Sequence, residues 1–469
     1  MIERALRERF GEAVLEGAPA EYLTDFTRLP GTADAVVLPD SAEQVAEVLA
    51  WCYERDVPIV PRGGGTGTAA GAVPQGGVVL ALDRLRHVRA FEPELWRIHV
   101  EAGVTTGRLR EVVRGAGLMF APDPGAPEQS QIGGNIATNA GGPHSFKYGV
   151  TGDWVTGIEA ALAPGEVVTV GGPIRKDVAG YDLRHLLVGS EGTLGIVTAA
   201  WLKLLPAPEA VLPVAIFHPG PDGGTEALLR ILGSGIVPAA LELLDEETLA
   251  CGGRSFPGGL PEGARFLLIA EADGSRTEAE RVQAELVEAA GDGAVGIYAP
   301  RDRAGIEALW SWRGSLAFSI AARRGGAVAE DIVVPVDRVA EAMAETRAIG
   351  RRHDLVALCF GHAGDGNLHS TFLVSPEDDD EIRRAEAAVE DLFDLAIRLG
   401  GSVSGEHGIG LLKRGQLEKQ WGARPVSLHA EIKRVFDPKN LLNPGKKLAS
   451  PPASGEPAPI AVRASPRPG

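Results

Sequence analysis

The chain has 469 residues, 44% of them apolar, and 46 Lys+Arg against 63 Asp+Glu give a formal net charge of −17. That acidity excludes nucleic acid and anionic membrane surfaces as partners, and the apolar fraction excludes a disordered chain. No apolar run approaches the roughly 18–20 residues that span a bilayer, and the start, MIERALRERFGEAVLEG, lacks a leader's apolar core, so a cytoplasmic location is expected.

At about 100–200 residues per domain the length predicts two to four domains. After a short helical start, DAVVLPDSAEQVAEVLAWCYERDVPIVPRGGG reads as strand, helix, strand. A capping box, Ser41-x-x-Gln44, precedes Val45, Val48, Leu49 and Cys52 at helical spacing. Residues 78–205 read as short strands separated by glycine turns, with a helix near 105–116, and form an α+β domain. From 211 strands alternate with amphipathic helices at 223–233, 276–290, 303–324, 336–352 and 377–399, which predicts a second sheet covered on one face by helices. The expected division is 1–207, 208–402 as a substrate-binding cap, 403–448 returning to the first domain, and a disordered Pro/Ala-rich tail at 449–469.

Three cysteines (Cys52, Cys251, Cys359), none in a CxxC, cannot build a disulfide framework or a four-cysteine iron–sulfur cluster, so any cluster belongs to a partner. The 61 glycines are clustered, and all five asparagines fall in Gly/Pro-rich segments or the closing NLLNPGKK, which marks those segments as sites.

The first glycine-rich segment is Pro61-Arg62-Gly63-Gly64-Gly65-Thr66-Gly67. Its Gly65-x-Gly67-x-x-Ala70 satisfies the dinucleotide fingerprint, and Asp83 ends the next strand. However, AGAVPQGG leaves no room for the crossover helix that fingerprint needs. It reads instead as a loop of exposed backbone N–H groups that cradles a pyrophosphate. The second comprises Ala121–Gly125, with Pro122, then Gln131–Gly142 and Lys147–Gly149. Small residues at 132–142, including Gly133, Gly134 and Gly141, let a planar ligand lie against the main chain, with Asn135, Thr138 and Asn139 offered to its polar edge; a packed turn with left-handed asparagines is the alternative. The third, Gly189-Ser-Glu191-Gly192-Thr-Leu-Gly195-Ile196-Val197, fits backbone contacts to a flavin or a bulged hairpin.

The fourth joins His362-Ala-Gly-Asp-Gly-Asn-Leu-His369 to Gly405-Glu406-His407-Gly408. Imidazoles with a carboxylate are a ligand set for zinc, manganese or iron, so His362, His369 and Glu406 are expected to form a metal site with His407 as a base, core-packed histidines being the alternative. Asp365 competes as a ligand, and Glu406 and His407 can exchange roles.

Taken together, PRGGGTGTAAGAVP, IGGNIATNAGGPHSFKYG, KDVAGYDLRHLLVGSEGTLGIVT, GHAGDGNLH, GSVSGEHGIG and FDPKNLLNPGK resemble, in order and spacing, the FAD-linked oxidases and dehydrogenases of the vanillyl-alcohol oxidase and p-cresol methylhydroxylase type. Within that family the glycolate oxidase FAD-binding subunit and the D-lactate and D-2-hydroxyglutarate dehydrogenases are most alike. The resemblance implies an α+β fold: a two-part FAD-binding domain of the p-cresol methylhydroxylase type plus a cap with an antiparallel sheet covered by helices. It implies oxidation of a small 2-hydroxy acid of glycolate or D-lactate type, with hydride passing to flavin N5 and electrons passing to a partner or quinone. By the same resemblance PRGGGTG binds the FAD pyrophosphate, the second and third segments line the flavin, and Asn443 closes the site. His362, His369 and Glu406 hold the metal, His407 is the base and Arg313 binds the substrate carboxylate. Iron–sulfur and second flavin subunits, or a homodimer, are the implied assemblies, with any inner-membrane contact made through a partner. Gln131 departs from the small residue usual there, and the absence of histidine in Arg62–Gly71 implies non-covalent FAD. A non-catalytic flavin-binding subunit and a flavin-free metal-dependent hydrolase are the competing readings.

Overall fold

In the computed structural model, which describes residues 1–448 and 462–464, the chain divides into two compact units. The first comprises Met1–Gly142, Gly149–Ala207 and the segment from Glu406; the second comprises Pro143–Tyr148, Pro208–Gly405 and the strand Val462–Ala464.

In the first unit Ala35–Val37, Val78–Ala81 and Ile59–Arg62 form a parallel sheet with Val78–Ala81 in the middle, so the two strands of the expected strand–helix–strand unit flank a third. Helix Ala42–Glu54 follows from the capping signal: Ser41 Oγ accepts the Gln44 N–H at 3.2 Å, while Gln44 Oε1 accepts from Asp40 N at 3.0 Å. Its stripe Val45, Val48, Leu49 and Cys52 is buried with Leu6, Ile59 and Leu80, each large apolar side chain contributing about 1.5–3 kcal/mol. Residues 63–77 join two adjacent parallel strands without a helix, as the motif's spacing predicts. A second, antiparallel sheet runs in the order Val88–Glu92, Arg97–Glu101, Ile196–Lys203, Val155–Leu162, Glu166–Gly171. The segment at 132–142, where the sequence pattern predicts no helix, begins with helix Ile132–Thr138. A Cβ on Gly133 would lie 2.6 Å from Ala102 Cβ, so the glycine that weakens the helix locally is what lets it pack.

The second unit holds, among the described residues, an eight-stranded antiparallel sheet in the order Gly296–Tyr298, Ala210–His218, Phe266–Gly274, Ala240–Leu244, Ala357–His362, Asn367–Val374, Gly326–Val333, Val462–Ala464. Helices cover both faces rather than the expected one. Ala215, Phe217, Leu267, Ile269, Leu358 and Phe360 pack on Leu309, Trp312 and Leu316 of helix Arg303–Arg324. Residues of the other parity meet other helices: Phe266 crowds Gly224 of Pro221–Gly233, and Ser370 meets Thr346 of Val339–Arg352. The physical reason lies in the strands. Phe266–Ala272 is apolar or buried at both parities, and both faces therefore need cover.

Pro143–Tyr148 belongs to the second unit because its side chains are paired there. His144 Nε2 meets Glu271 at 2.8 Å, and Lys147 and Tyr148 both bond Asp273. Of the tail at 449–469, Val462–Ala464 pairs with Gly326–Val328 along an otherwise open strand edge, and the remainder lies outside the described residues. Among the described residues no helix is long and apolar enough to cross a membrane.

Candidate active site

The first unit offers a cradle made of main chain. Gly63 and Gly134 approach so closely that a Cβ on Gly63 would lie 3.3 Å from Gly134 Cα, and one on Gly64 would lie 1.8 Å from Gln129 O. Gly65, Gly189 and Gly192 have φ of 67°, 71° and 70°, the left-handed region open to glycine without strain. Among the described residues, three buried acceptor atoms around this loop have no hydrogen-bond partner: Asp25 Oδ2, Asp83 Oδ2 and Gln131 Oε1. Unpaired buried acceptors fit a ligand that brings hydroxyl and N–H donors, which FAD has on its ribityl, adenine and flavin parts. Gln131, the departure noted in the sequence, thus faces the loop while its Nε2 donates to Asp83 at 3.1 Å.

Most side chains expected at the cofactor are engaged within the protein. The Arg62 guanidinium donates to Thr24 O and Glu21 O, both at 2.6 Å. Asn135 donates to Thr106 Oγ1, Thr138 to Gly134 O, and Asn139 Oδ1 accepts from Gly152 N at the left-handed end of its helix. Pro122 O accepts from Arg110. Pro61 packs on Gly192, whose Cβ would lie 3.1 Å from its ring, and Gly195 is closed in by Leu162. Ile196 and Val197 are buried in their strand. Of the main chain at the helix start, Gly133 N–H is itself spent on Ala102 O at 2.8 Å, so main-chain donation to a bound ligand would fall to the Gly63–Gly67 loop. Asn443 ties two of the loops together, its Nδ2 donating to Gly71 O at 2.9 Å and Glu191 O at 2.7 Å. Glu191 reaches the His407 loop, accepting from Ile409 N at 2.9 Å and Gly410 N at 2.7 Å.

The second unit presents side chains instead. Ala357–His362 and Asn367–Val374 form a hairpin in which Phe360 stands opposite His369, and the His362 and His369 ring centroids are 5.2 Å apart. The turn between them needs its glycines: Gly366 has φ of 76°, and a Cβ on Gly364 would overlap the Phe146 ring. Asp365 Oδ1 accepts from Asn367 N at 3.3 Å and so caps this turn. Gly405 is fixed by donating its N–H to Asp331 at 2.6 Å, and the next residue, Glu406, is where the chain leaves the unit. Within the second unit His362 and His369 thus present two imidazoles side by side, a donor pair that fits a divalent ion. His407 Nε2 is 3.8 Å from Glu406 Oε1, beside the carboxylate but beyond hydrogen-bond distance.

Arg313, on helix Arg303–Arg324, does not stand alone as a surface residue. Its Nε and Nη2 meet Glu242 Oε2 at 2.7 and 2.5 Å, and its guanidinium lies over Phe360, 5.1 Å from the ring centroid. Glu242 is fully buried, stands directly opposite His362 in the sheet, and receives His362 Nδ1 on Oε1 at 2.5 Å. Burial works to raise the Glu242 pKa, but Arg313 and His362 hold it well below the usual carboxylate range. Sequence reading missed Glu242 and Asp331. The available signal was a lone carboxylate inside an apolar strand, as in AALELLD and VAEDIVVPV, because buried acids without partners are rare.

Comparison with known proteins agrees with this architecture. Residues 207–447 match the C-terminal domain of FAD linked oxidases, and residues 33–171 match an FAD binding domain. The chain is 39% identical over 420 residues to the glycolate oxidase subunit GlcD of Bacillus subtilis, covering 89% of each chain. It is 34% identical to a D-lactate dehydrogenase of Archaeoglobus fulgidus, covering 88% of this chain and 90% of that one. Among solved structures, p-cresol methylhydroxylase with substrate bound superposes with a TM-score of 0.78 at 18% identity, covering 95% of this chain and 96% of the other, which shows the shared fold.

Proposed function

The chain belongs to the family of FAD-linked oxidases, and on that premise we propose that it oxidises a small 2-hydroxy acid of glycolate or D-lactate type to the 2-oxo acid. The observation that carries this reading is the imidazole pair of His362 and His369 on one hairpin, with Arg313 linked to His362 through Glu242. When bound, non-covalent FAD supplies the hydride acceptor at N5, and a zinc, manganese or iron ion supplies a Lewis acid that acidifies the substrate hydroxyl. His362, His369 and Glu406 would hold that ion. Arg313 uses Nε and Nη2 on Glu242, which leaves Nη1 to bind the substrate carboxylate and orient the acid. His407 takes the hydroxyl proton, a role suited to an imidazole near neutral pH.

The three cysteines cannot form a four-cysteine cluster, and burial pushes the Cys52 and Cys359 thiols up to about 12. The reading therefore includes an iron–sulfur subunit, a second flavin subunit or a quinone as the onward electron acceptor, with a homodimer as the alternative assembly. It keeps the cytoplasmic location, any membrane contact being made through that partner. The paired imidazoles, held with Arg313 by Glu242, favour a catalytic chain over a purely structural flavin subunit. The FAD-binding domain counts against a flavin-free hydrolase.

The test is an anaerobic absorbance titration of the FAD-reconstituted protein with glycolate, D-lactate and D-2-hydroxyglutarate, with and without a chelator. Flavin bleaching by one acid, lost with chelator, is the expected result. Absence of bleaching by all three with added Zn²⁺ or Mn²⁺ would overturn the reading for the isolated chain.

A further inference from the structure

We infer that Glu242 is the positioning residue of this site: its carboxylate fixes the ring of His362 through Nδ1, leaving Nε2 as the ligating nitrogen, and also holds the Arg313 guanidinium. The inference rests on the proposed metal and carboxylate roles of His362 and Arg313. The geometry behind it is independent of them. Strands Ala240–Leu244 and Ala357–His362 are antiparallel neighbours, and their register sets Glu242 directly across from His362 on the face covered by helix Arg303–Arg324. Oε1 takes the imidazole at 2.5 Å and Oε2 takes the guanidinium at 2.5 and 2.7 Å, so the two oxygens serve two different groups.

A carboxylate behind an imidazole settles which ring nitrogen carries the proton, stops the ring from turning and raises its basicity as a ligand. Full burial of Glu242 makes the arrangement rigid, since neither oxygen can exchange its partner for water. One carboxylate thereby couples the placement of the proposed ion to the placement of the group that would hold the substrate carboxylate. A slip of that strand pairing by one residue would turn Glu242 to the other face and lose both contacts at once.

The experiment measures Zn²⁺ and Mn²⁺ dissociation constants of the purified flavoprotein by competition with a chromophoric chelator, together with flavin content, melting temperature, KM and kcat. Glu242→Gln should weaken metal binding by about 10–100-fold with flavin content unchanged, and Glu242→Asp should recover most of that loss. Because Glu242→Gln leaves the Arg313 charge buried without its partner, the double variant Glu242→Gln/Arg313→Met, which removes both charges, is compared with Arg313→Met, and the melting temperature of each variant is the control for folding. Arg313→Met alone should raise KM while keeping metal affinity, and the double variant should lose both. Metal affinity of the double variant within twofold of Arg313→Met would overturn the inference. His369→Ala separates the two levels. If it too keeps wild-type metal affinity, the metal reading itself falls; if it loses metal while the Glu242 variants keep it, the Glu242 inference alone falls.

Discussion

In the first unit the glycine loops are built of main chain: glycines that tolerate no Cβ, left-handed turns, and side chains such as Arg62, Asn135 and Asn443 turned inward to hold them. In the second unit the polar groups are side chains projecting from adjacent strands, with Glu242, His362, His369 and Asp331 on one face of one sheet. The difference matters for how each fails. A loop built of main chain is broken by adding atoms, whereas a constellation of side chains is broken by removing them. The glycines protect shape, and the buried carboxylates protect orientation.

The largest expected effect falls on the side-chain site. His369→Ala should reduce substrate-driven flavin bleaching about a thousandfold, roughly 4 kcal/mol of transition-state stabilisation, while the protein stays yellow. Turnover within tenfold of wild type, read in the anaerobic titration, would show that the imidazole pair is not the reactive centre. Adding a methyl group to the other site should act in reverse. Gly64→Ala places a Cβ 1.8 Å from Gln129 O, and should cost about 3 kcal/mol and displace FAD while sparing Zn²⁺ affinity. Wild-type FAD affinity in that variant would mean that the loop yields more easily than its geometry implies.

Asp245 gives the second unit a pH signature. Burial raises its pKa from 3.8 to about 6 despite hydrogen bonds from Thr248 and from Cys359 N. Between those values the folded state holds a proton that the unfolded state releases. Stability should therefore fall by about 2–3 kcal/mol as pH rises from about 4 to about 6, and Asp245 should add no further slope above that. Urea midpoints across that window, compared with those of Asp245→Asn, check the slope; a wild-type slope equal to the variant's would remove Asp245 as its source. The smallest effect is Asn443→Ala, which strands the carbonyls of Gly71 and Glu191 and should cost about 2 kcal/mol, mostly in FAD retention, as read by thermal release of flavin fluorescence.

Much of this was legible in advance wherever a local period was strong. Helix Arg276–Ala290 and strand Phe266–Gly274 stand where their patterns predict. The misses have physical causes. Ile132–Thr138 contains Gly-Gly-Asn, a poor helix by propensity, and it is helical because Gly133 lets it close on Ala102. Val88–Glu92 is a partly buried edge strand whose polar residues hide its alternation. Pro143–Tyr148 follows the second unit because its partners are Glu271 and Asp273, more than a hundred residues away.

The amino-acid sequence by itself determined the family pattern, the glycine loop without a crossover helix, and the histidines and carboxylates at issue. These depend on residue type and short spacing, which the chain carries locally. The tertiary structure alone decided that Glu242 faces His362, that Asp331 holds Gly405, and that Asn135 and Arg62 are turned inward. Those outcomes depend on strand register and on contacts between residues far apart in the chain, and a one-residue change in register, invisible to local periodicity, would reverse each sheet face.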